Sequence, residues 1–257
     1  MLWTKFRAGS RPGYFAALCL ALPTLLAAQT TQTPPPPLRV PTAPSTAPAV
    51  PPPPPPSVAP AFSVLIDAAH GGSDTGARLG PNLLEKDLTL ELSNHLRSML
   101  AARGIQVTVT RASDVTLPAE TRAEIANHTP FAACILIHAT ATGSGAHLYT
   151  SSLAPTPIQD FLPWQTAQSA YITKSLKLLS DIDSAFAHAQ IPVTLGRTSL
   201  EPMDSFACPA VAVEIAPLQH GSSIKSKPLT DPDYQRTTLD ALAAALDEWR
   251  NEWRQQP

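Results

Sequence analysis

Apolar positions alternate between short runs and helical stripes from residue 62 to about residue 254. Phe62 to Asp67 is an apolar run that leads into a Gly pair, the pattern of a buried strand. Leu88, Leu92, Leu96, Met99 and Leu100 recur at helical spacing and Gly104 follows as a stop, so an amphipathic helix is expected to start near Glu85 to Asp87. Ile105 to Thr110 alternates with β-branched residues and reads as a second strand. The pattern then predicts a short helix over 118–128, a buried strand over 133–138 and an edge strand over 146–150. A long helix over 166–189 and a buried strand over 210–215 follow. Asp231 and Pro232 supply an N-cap and a first helical residue for a closing helix through Trp249 and Trp253. Such alternation implies an α/β domain over 62–257, with a mostly parallel sheet covered by helices on both faces.

The preceding residues have a different composition. Fourteen of the 29 prolines lie between Pro34 and Pro60, where Arg39 is the only charge. That stretch cannot bury a core, so residues 29–61 read as an extended, disordered spacer of the polyproline type. Residues 1–28 combine Lys5, Arg7 and Arg11 with an apolar stretch from Tyr14 to Leu26 and small residues at Ala27 and Ala28. This is the layout of a secretory signal peptide, too short for a comfortable membrane span; left uncleaved, it is a membrane tether. Either way the protein is expected to leave the cytoplasm for the periplasm or cell envelope. Loss of residues 1–28 removes three positive charges and no negative ones, leaving 15 Lys+Arg against 20 Asp+Glu, a net charge near −5. A mildly acidic chain has no electrostatic footprint for nucleic acid. Cys134 and Cys208 sit in the apolar runs AACILI and FACPAVAV, the setting of small buried thiols. A disulfide between them requires that the two side chains meet, which spacing does not show.

Candidate chemistry gathers at strand ends. His70 lies just beyond the first strand in DAAHGG, His138 ends ACILIH, and Glu214 lies within AVAVEI. Ligand crevices of open α/β sheets lie beyond the carboxyl ends of the strands, so these side chains converge if the strands are parallel. Glu85, at the mouth of the first helix, is a fourth candidate. Two imidazoles and one carboxylate form a common catalytic zinc set, leaving a further carboxylate to take a proton from water. Singly, each residue has an ordinary structural explanation. Glu214 is the hardest to explain so, because a carboxylate in an apolar strand costs several kcal/mol unless paired or metal-bound. Asp67 either orients the His70 ring or caps a strand-end turn. His147 and His220 lie in or beside loops near the strand ends, within reach of a substrate.

Taken in order, LIDAAHGGSDTGA, LLEKDLTLELS, GIQVTVTR, ETRAEIAN, ILIHAT, PAVAVEI and LTDPDYQR resemble the zinc-dependent N-acetylmuramoyl-L-alanine amidases whose first motif is Asp-Pro-Gly-His-Gly-Gly. The resemblance covers residues 63 to 250. It implies a three-layer αβα sandwich, one Zn2+ held by His70, Glu85 and His138, and Glu214 as the carboxylate acting on the zinc-bound water. The implied substrate is peptidoglycan, cut between N-acetylmuramic acid and the L-alanine of the stem peptide. Arg122 and Asn127 match the pattern too and would tie the short helix to the sheet.

Ala68 and Ala69 depart from the family's Pro-Gly before His70, Thr140 stands where Asn is usual, and Ala216 to His220 replace Gly-Phe-Leu-Ser-Asn. These departures leave the ligand set intact and bear on substrate fit. Residues 151–165 are too short for the inhibitory helical insertion of some relatives, so none is expected. A catalytically inactive peptidoglycan-binding homologue and a zinc amidohydrolase or peptidase acting on another amide are the competing classes.

Overall fold

Continuous apolar runs become the inner strands because a strand buried on both faces has no polar side to alternate with. β1 (Ser63–Ala68), β5 (Ala133–Ala139) and β8 (Ala210–Ile215) are such strands. The structure, a computed structural model, describes residues 61–157, 162–219 and 226–255. The expected signal peptide, nearly all of the Pro-rich spacer and His220 lie outside the described residues.

The central sheet also includes β4 (Gln106–Val109), β6 (Ala146–Ser151) and β7 (Val193–Thr198), in the order β4-β1-β5-β8-β6-β7. β4, β1, β5 and β8 are parallel; β6 pairs antiparallel with β8, and β7 runs parallel to β6. A two-stranded hairpin, β2 (Arg78–Gly80) and β3 (Leu83–Leu84), leads into α1 (Glu85–Ala102).

Residues pointing alternately up and down from β1, β5 and β8 sort into two apolar layers. Val64, Ile66, Ile135, Ile137, Val211 and Val213 pack with α1, α3 (Ile172–His188) and α4 (Pro232–Gln255). Leu65, Cys134, Leu136, Ala210 and Ala212 pack with α2 (Ala119–His128) and a short 3-10 turn at Met203–Ser205. This is the αβα sandwich that the alternation of elements implied.

Four details differ from the sequence-based expectation. β6 is interior rather than an edge strand, because β7 lies outside it. β7 lacked a signal because its sequence, VTLGRT, is largely exposed, and it contains Gly196. A Cβ at Gly196 would lie 2.7 Å from the Tyr149 ring on β6. The long helix over 166–189 is interrupted: Trp164–Ala170 is a 3-10 segment, with Thr166 outside helical geometry, and α3 starts at Ile172. Cys134 and Cys208 are bonded as a disulfide, with Cα atoms 6.1 Å apart, rather than buried as separate thiols. β5 and the segment entering β8 are neighbours, which linear spacing could not reveal.

Asp231 does cap α4, accepting a bond from the Tyr234 amide at 2.7 Å. The Tyr234 hydroxyl is buried 2.7 Å from Ala216 O and 3.1 Å from Gly145 O, joining the segments that flank the end of β8. Burial pushes this phenol up to about 12. Tyr234→Phe is expected to lower stability by about 1–2 kcal/mol, read from the denaturant midpoint at unchanged slope.

Candidate metal centre

The chain leaves β1 through a turn that local preference alone would not select. His70 adopts φ 62°, a left-handed conformation that costs a non-glycine residue about 1–3 kcal/mol and persists only where its surroundings impose it. Two buried arginines impose it. Arg122 of α2 donates from Nη1 to Asp67 Oδ1 and Ala68 O, both at 2.7 Å, and from Nη2 to His70 O at 2.6 Å. Arg111, just after β4, donates to Ala68 O and Ala69 O, each at 2.9 Å. Burial depresses the Arg111 pKa and the neighbouring Arg122 charge adds to this, while Asp114 and Asp67 oppose it.

With the turn held, His70 meets two candidate ligands from other elements. Its Nε2 lies 3.1 Å from Glu85 Oε2, and Nδ1 of His138 lies 3.1 Å from Glu85 Oε1. Potential ligand atoms of the three residues all fall within 4.8 Å of one another. Glu85 is the first residue of α1, where the helix dipole favours a negative charge. Its carboxylate also accepts bonds from the amides of Ala77 at 2.9 Å and Ala139 at 3.2 Å. Burial acts to raise its pKa, but the bonds to His138, His70 and these amides outweigh it and hold the carboxyl well below the usual range. The bond to Glu85 raises the His70 pKa; burial opposes this and Asp74 reinforces it.

These donors suit a divalent metal. Nδ1 of His70 faces Asp74 Oδ2 at 2.8 Å, so a proton on that nitrogen leaves the Nε2 lone pair directed at the cluster. Nε2 of His138 is buried without a hydrogen-bond partner among the described residues. A charged carboxylate between two imidazoles is a donor set suited to zinc. Gly76 closes the loop around the cluster at φ 62°; a Cβ there would lie 2.5 Å from the His70 ring and 2.8 Å from Glu85 Oε2. Neither Asp74 nor Gly76 stood out in the sequence. Both lie within LIDAAHGGSDTGA, but an Asp and a Gly occur in most polar turns, so residue type alone does not single them out.

Glu214 pairs in register with His138 on β5 and with His147 on β6. Its Oε2 lies 2.7 Å from His147 Nδ1, giving this half-buried carboxylate the partner that its apolar strand lacks. Burial, with a smaller contribution from the Glu214 charge, raises the nearby Tyr149 phenol. Asp67 does not reach the His70 ring: Asp74 takes that nitrogen, and Asp67 Oδ1 accepts from Arg122 and, at 2.6 Å, from Thr110. The Thr140 amide donates to Ile215 O and its hydroxyl meets that of Thr142 at 3.1 Å. Asn127 joins α2 to the segment before β8 through Ser205 O and the Ala207 amide.

A cavity of about 210 Å³ is lined by His70, His138, Arg122, Glu201 and Pro202. A neighbouring one of about 300 Å³ shares Ala119, Glu201 and Pro202 with it and extends to the exposed Trp164.

The fold and the cluster together define an α/β protein with a candidate His-Glu-His metal site. Residues 64–248 match the family model described as N-acetylmuramoyl-L-alanine amidase, and the chain belongs to that family. It is 27% identical over 193 residues to the uncharacterized protein YqiI of Bacillus subtilis, covering 73% of this chain and 84% of that one. Over 64 residues it is 39% identical to the N-acetylmuramoyl-L-alanine amidase AmiA of Escherichia coli, a match spanning 25% of this chain and 22% of AmiA. Among solved structures, an N-acetylmuramoyl-L-alanine amidase of Clostridium difficile 630 shares the fold with a TM-score of 0.58 at 21% identity, over 75% of this chain and 98% of that one. The catalytic domain of CwlV from Bacillus (Paenibacillus) polymyxa gives 0.57 at 22%, over 74% and 98%.

Two substitutions test the scaffold. Gly76→Ala is expected to weaken Zn2+ affinity by about tenfold or more, measured by competition with a chromogenic chelator. Arg122→Ala strands Asp67 as a buried unpaired charge and should cost roughly 3–5 kcal/mol in denaturant unfolding.

Proposed function

We propose that this protein hydrolyses the amide between the lactyl group of N-acetylmuramic acid and the L-alanine of the peptidoglycan stem peptide. His70, Glu85 and His138 would hold zinc, and Glu214 is the general base. The observation that carries this reading is the convergence of those three donors in a chain of the amidase family.

Zinc held there would supply Lewis acidity for the scissile carbonyl and a water whose pKa is lowered toward about 7. Glu214 accepts a proton as the water oxygen bonds to the carbonyl carbon. It returns that proton to the L-alanine nitrogen as the carbon–nitrogen bond breaks, and the water's second proton leaves the new lactyl carboxylic acid for the amine, giving a carboxylate and an ammonium group. Arg122 and Arg111 keep His70 in place through the turn, and Asp74 fixes its ring.

A cell-wall substrate requires export, in keeping with the signal read over residues 1–28. Among the described residues no helix is long and apolar enough to cross a membrane. A retained signal would make the spacer a tether of on the order of 80 Å when fully extended.

The full chain incubated with purified peptidoglycan should release new L-alanine amino termini. Chelation should abolish their release and added Zn2+ restore it. Glu214→Gln should keep one zinc per chain while turnover falls by about 10²–10⁴-fold. Zinc-loaded protein that yields no such termini would sink the amidase reading, and a Glu214→Gln variant of normal rate would remove Glu214 from the base role.

A further inference from the structure

We propose that His147 is the positioning residue for Glu214, holding one carboxylate oxygen so that the other faces the water to be deprotonated. This inference rests on the amidase reading above.

β6 runs opposite to β8, so His147, near the start of β6, reaches the sheet end where Glu214 is the penultimate residue of β8. Register pairing of His138 with Glu214 and of Glu214 with His147 puts three functional side chains in one row across β5, β8 and β6. Nδ1 of His147 lies 2.7 Å from Glu214 Oε2, with the imidazole 14% and the carboxylate 30% exposed. A glutamate has three rotatable bonds and, at a partly exposed strand end, would sample several rotamers. Donation from His147 Nδ1 selects one, engages Oε2 and leaves Oε1 free.

The imidazole is itself held. Gly143, at φ 86°, passes so close to its far edge that a Cβ there would lie 2.4 Å from Cε1 and Nε2. Gly145, at φ 82°, packs its backbone against Pro192, the residue before β7, and its amide-linked neighbour Ala146 donates to Pro192 O at 2.9 Å. The loop entering β6 is thus shaped around the ring that braces Glu214. Proton transfer requires the base within hydrogen-bond reach, and a misplacement of about 1 Å can cost on the order of 10² in rate.

The test compares His147→Ala, His147→Phe and His147→Asn in the full zinc-loaded chain, with a soluble muramyl-peptide substrate. Ala and Phe should each lower kcat by about 10–100-fold with KM within about twofold and zinc content unchanged. Asn, whose amide can donate near the position of Nδ1, should recover about tenfold of that loss. A packing role predicts the reverse, rescue by Phe and not by Asn, and would overturn the proposal. In the Glu214→Gln background, His147→Ala should cost less than about twofold, because there is no placed base left to lose. Independently of turnover, imidazole ¹⁵N spectra should show His147 protonated at Nδ1, with that proton resonance displaced in Glu214→Ala; an unchanged resonance would count against the contact. If wild type and Glu214→Gln behave as the amidase reading requires while His147→Ala and His147→Phe keep full kcat, this inference alone fails. If the zinc-loaded wild type releases no L-alanine termini, the amidase reading fails and the catalytic role of His147 falls with it.

Discussion

Arg122 and Asp67 meet at 2.7 Å inside the protein, and the site depends on that contact. A buried ion pair is a poor stabiliser when its remaining polar atoms go unsatisfied. Here the guanidinium also reaches Ala68 O, His70 O and Leu117 O, and the same carboxylate oxygen takes the Thr110 hydroxyl. The main gain is in conformation rather than in stability. The Asp67 carboxylate and the Ala68 and His70 carbonyls are fixed from one guanidinium, and His70 is thereby held at a backbone angle it would not adopt alone.

From that turn a line of alternating imidazoles and carboxylates runs His138, Glu85, His70, Asp74. Each carboxylate steadies an imidazole nitrogen, and Glu85 bridges two rings. The same alternation appears one strand further along, where His147 faces Glu214. The two groupings share a sheet end because β5 and β8 are parallel and β6 is reversed. Had β6 run parallel to β8, the start of β6 would lie at the opposite end and His147 could not reach Glu214.

Glycines set how closely these groups approach. Gly76 lets the loop pass over His70 and Glu85, and Gly143 does the same beside His147. In both places a methyl group would occupy space that a functional ring or carboxylate already fills, and φ is positive at both. The contacts explain these glycines more fully than turn preference does.

The sequence by itself determined the layers and pointed to the candidate ligands. Runs such as ACILIH and AVAVEI are too apolar for anything but inner strands, the Leu88 to Leu100 stripe makes a helix with one buried face, and His70, Glu85, His138 and Glu214 stand at element ends where a crevice forms. It determined the N-cap at Asp231 for the same reason: a cap is a local hydrogen bond, set within three residues. Contacts between distant segments were decided only by the tertiary structure. Strand order made β6 interior and brought Cys134 to Cys208; strand direction brought His147 to Glu214; and loop packing gave the His70 ring to Asp74 while Asp67 was taken by Arg122. Hydrophobic period reports burial, a property each residue carries along the chain, whereas partnership belongs to pairs and appears only when the sheet is assembled.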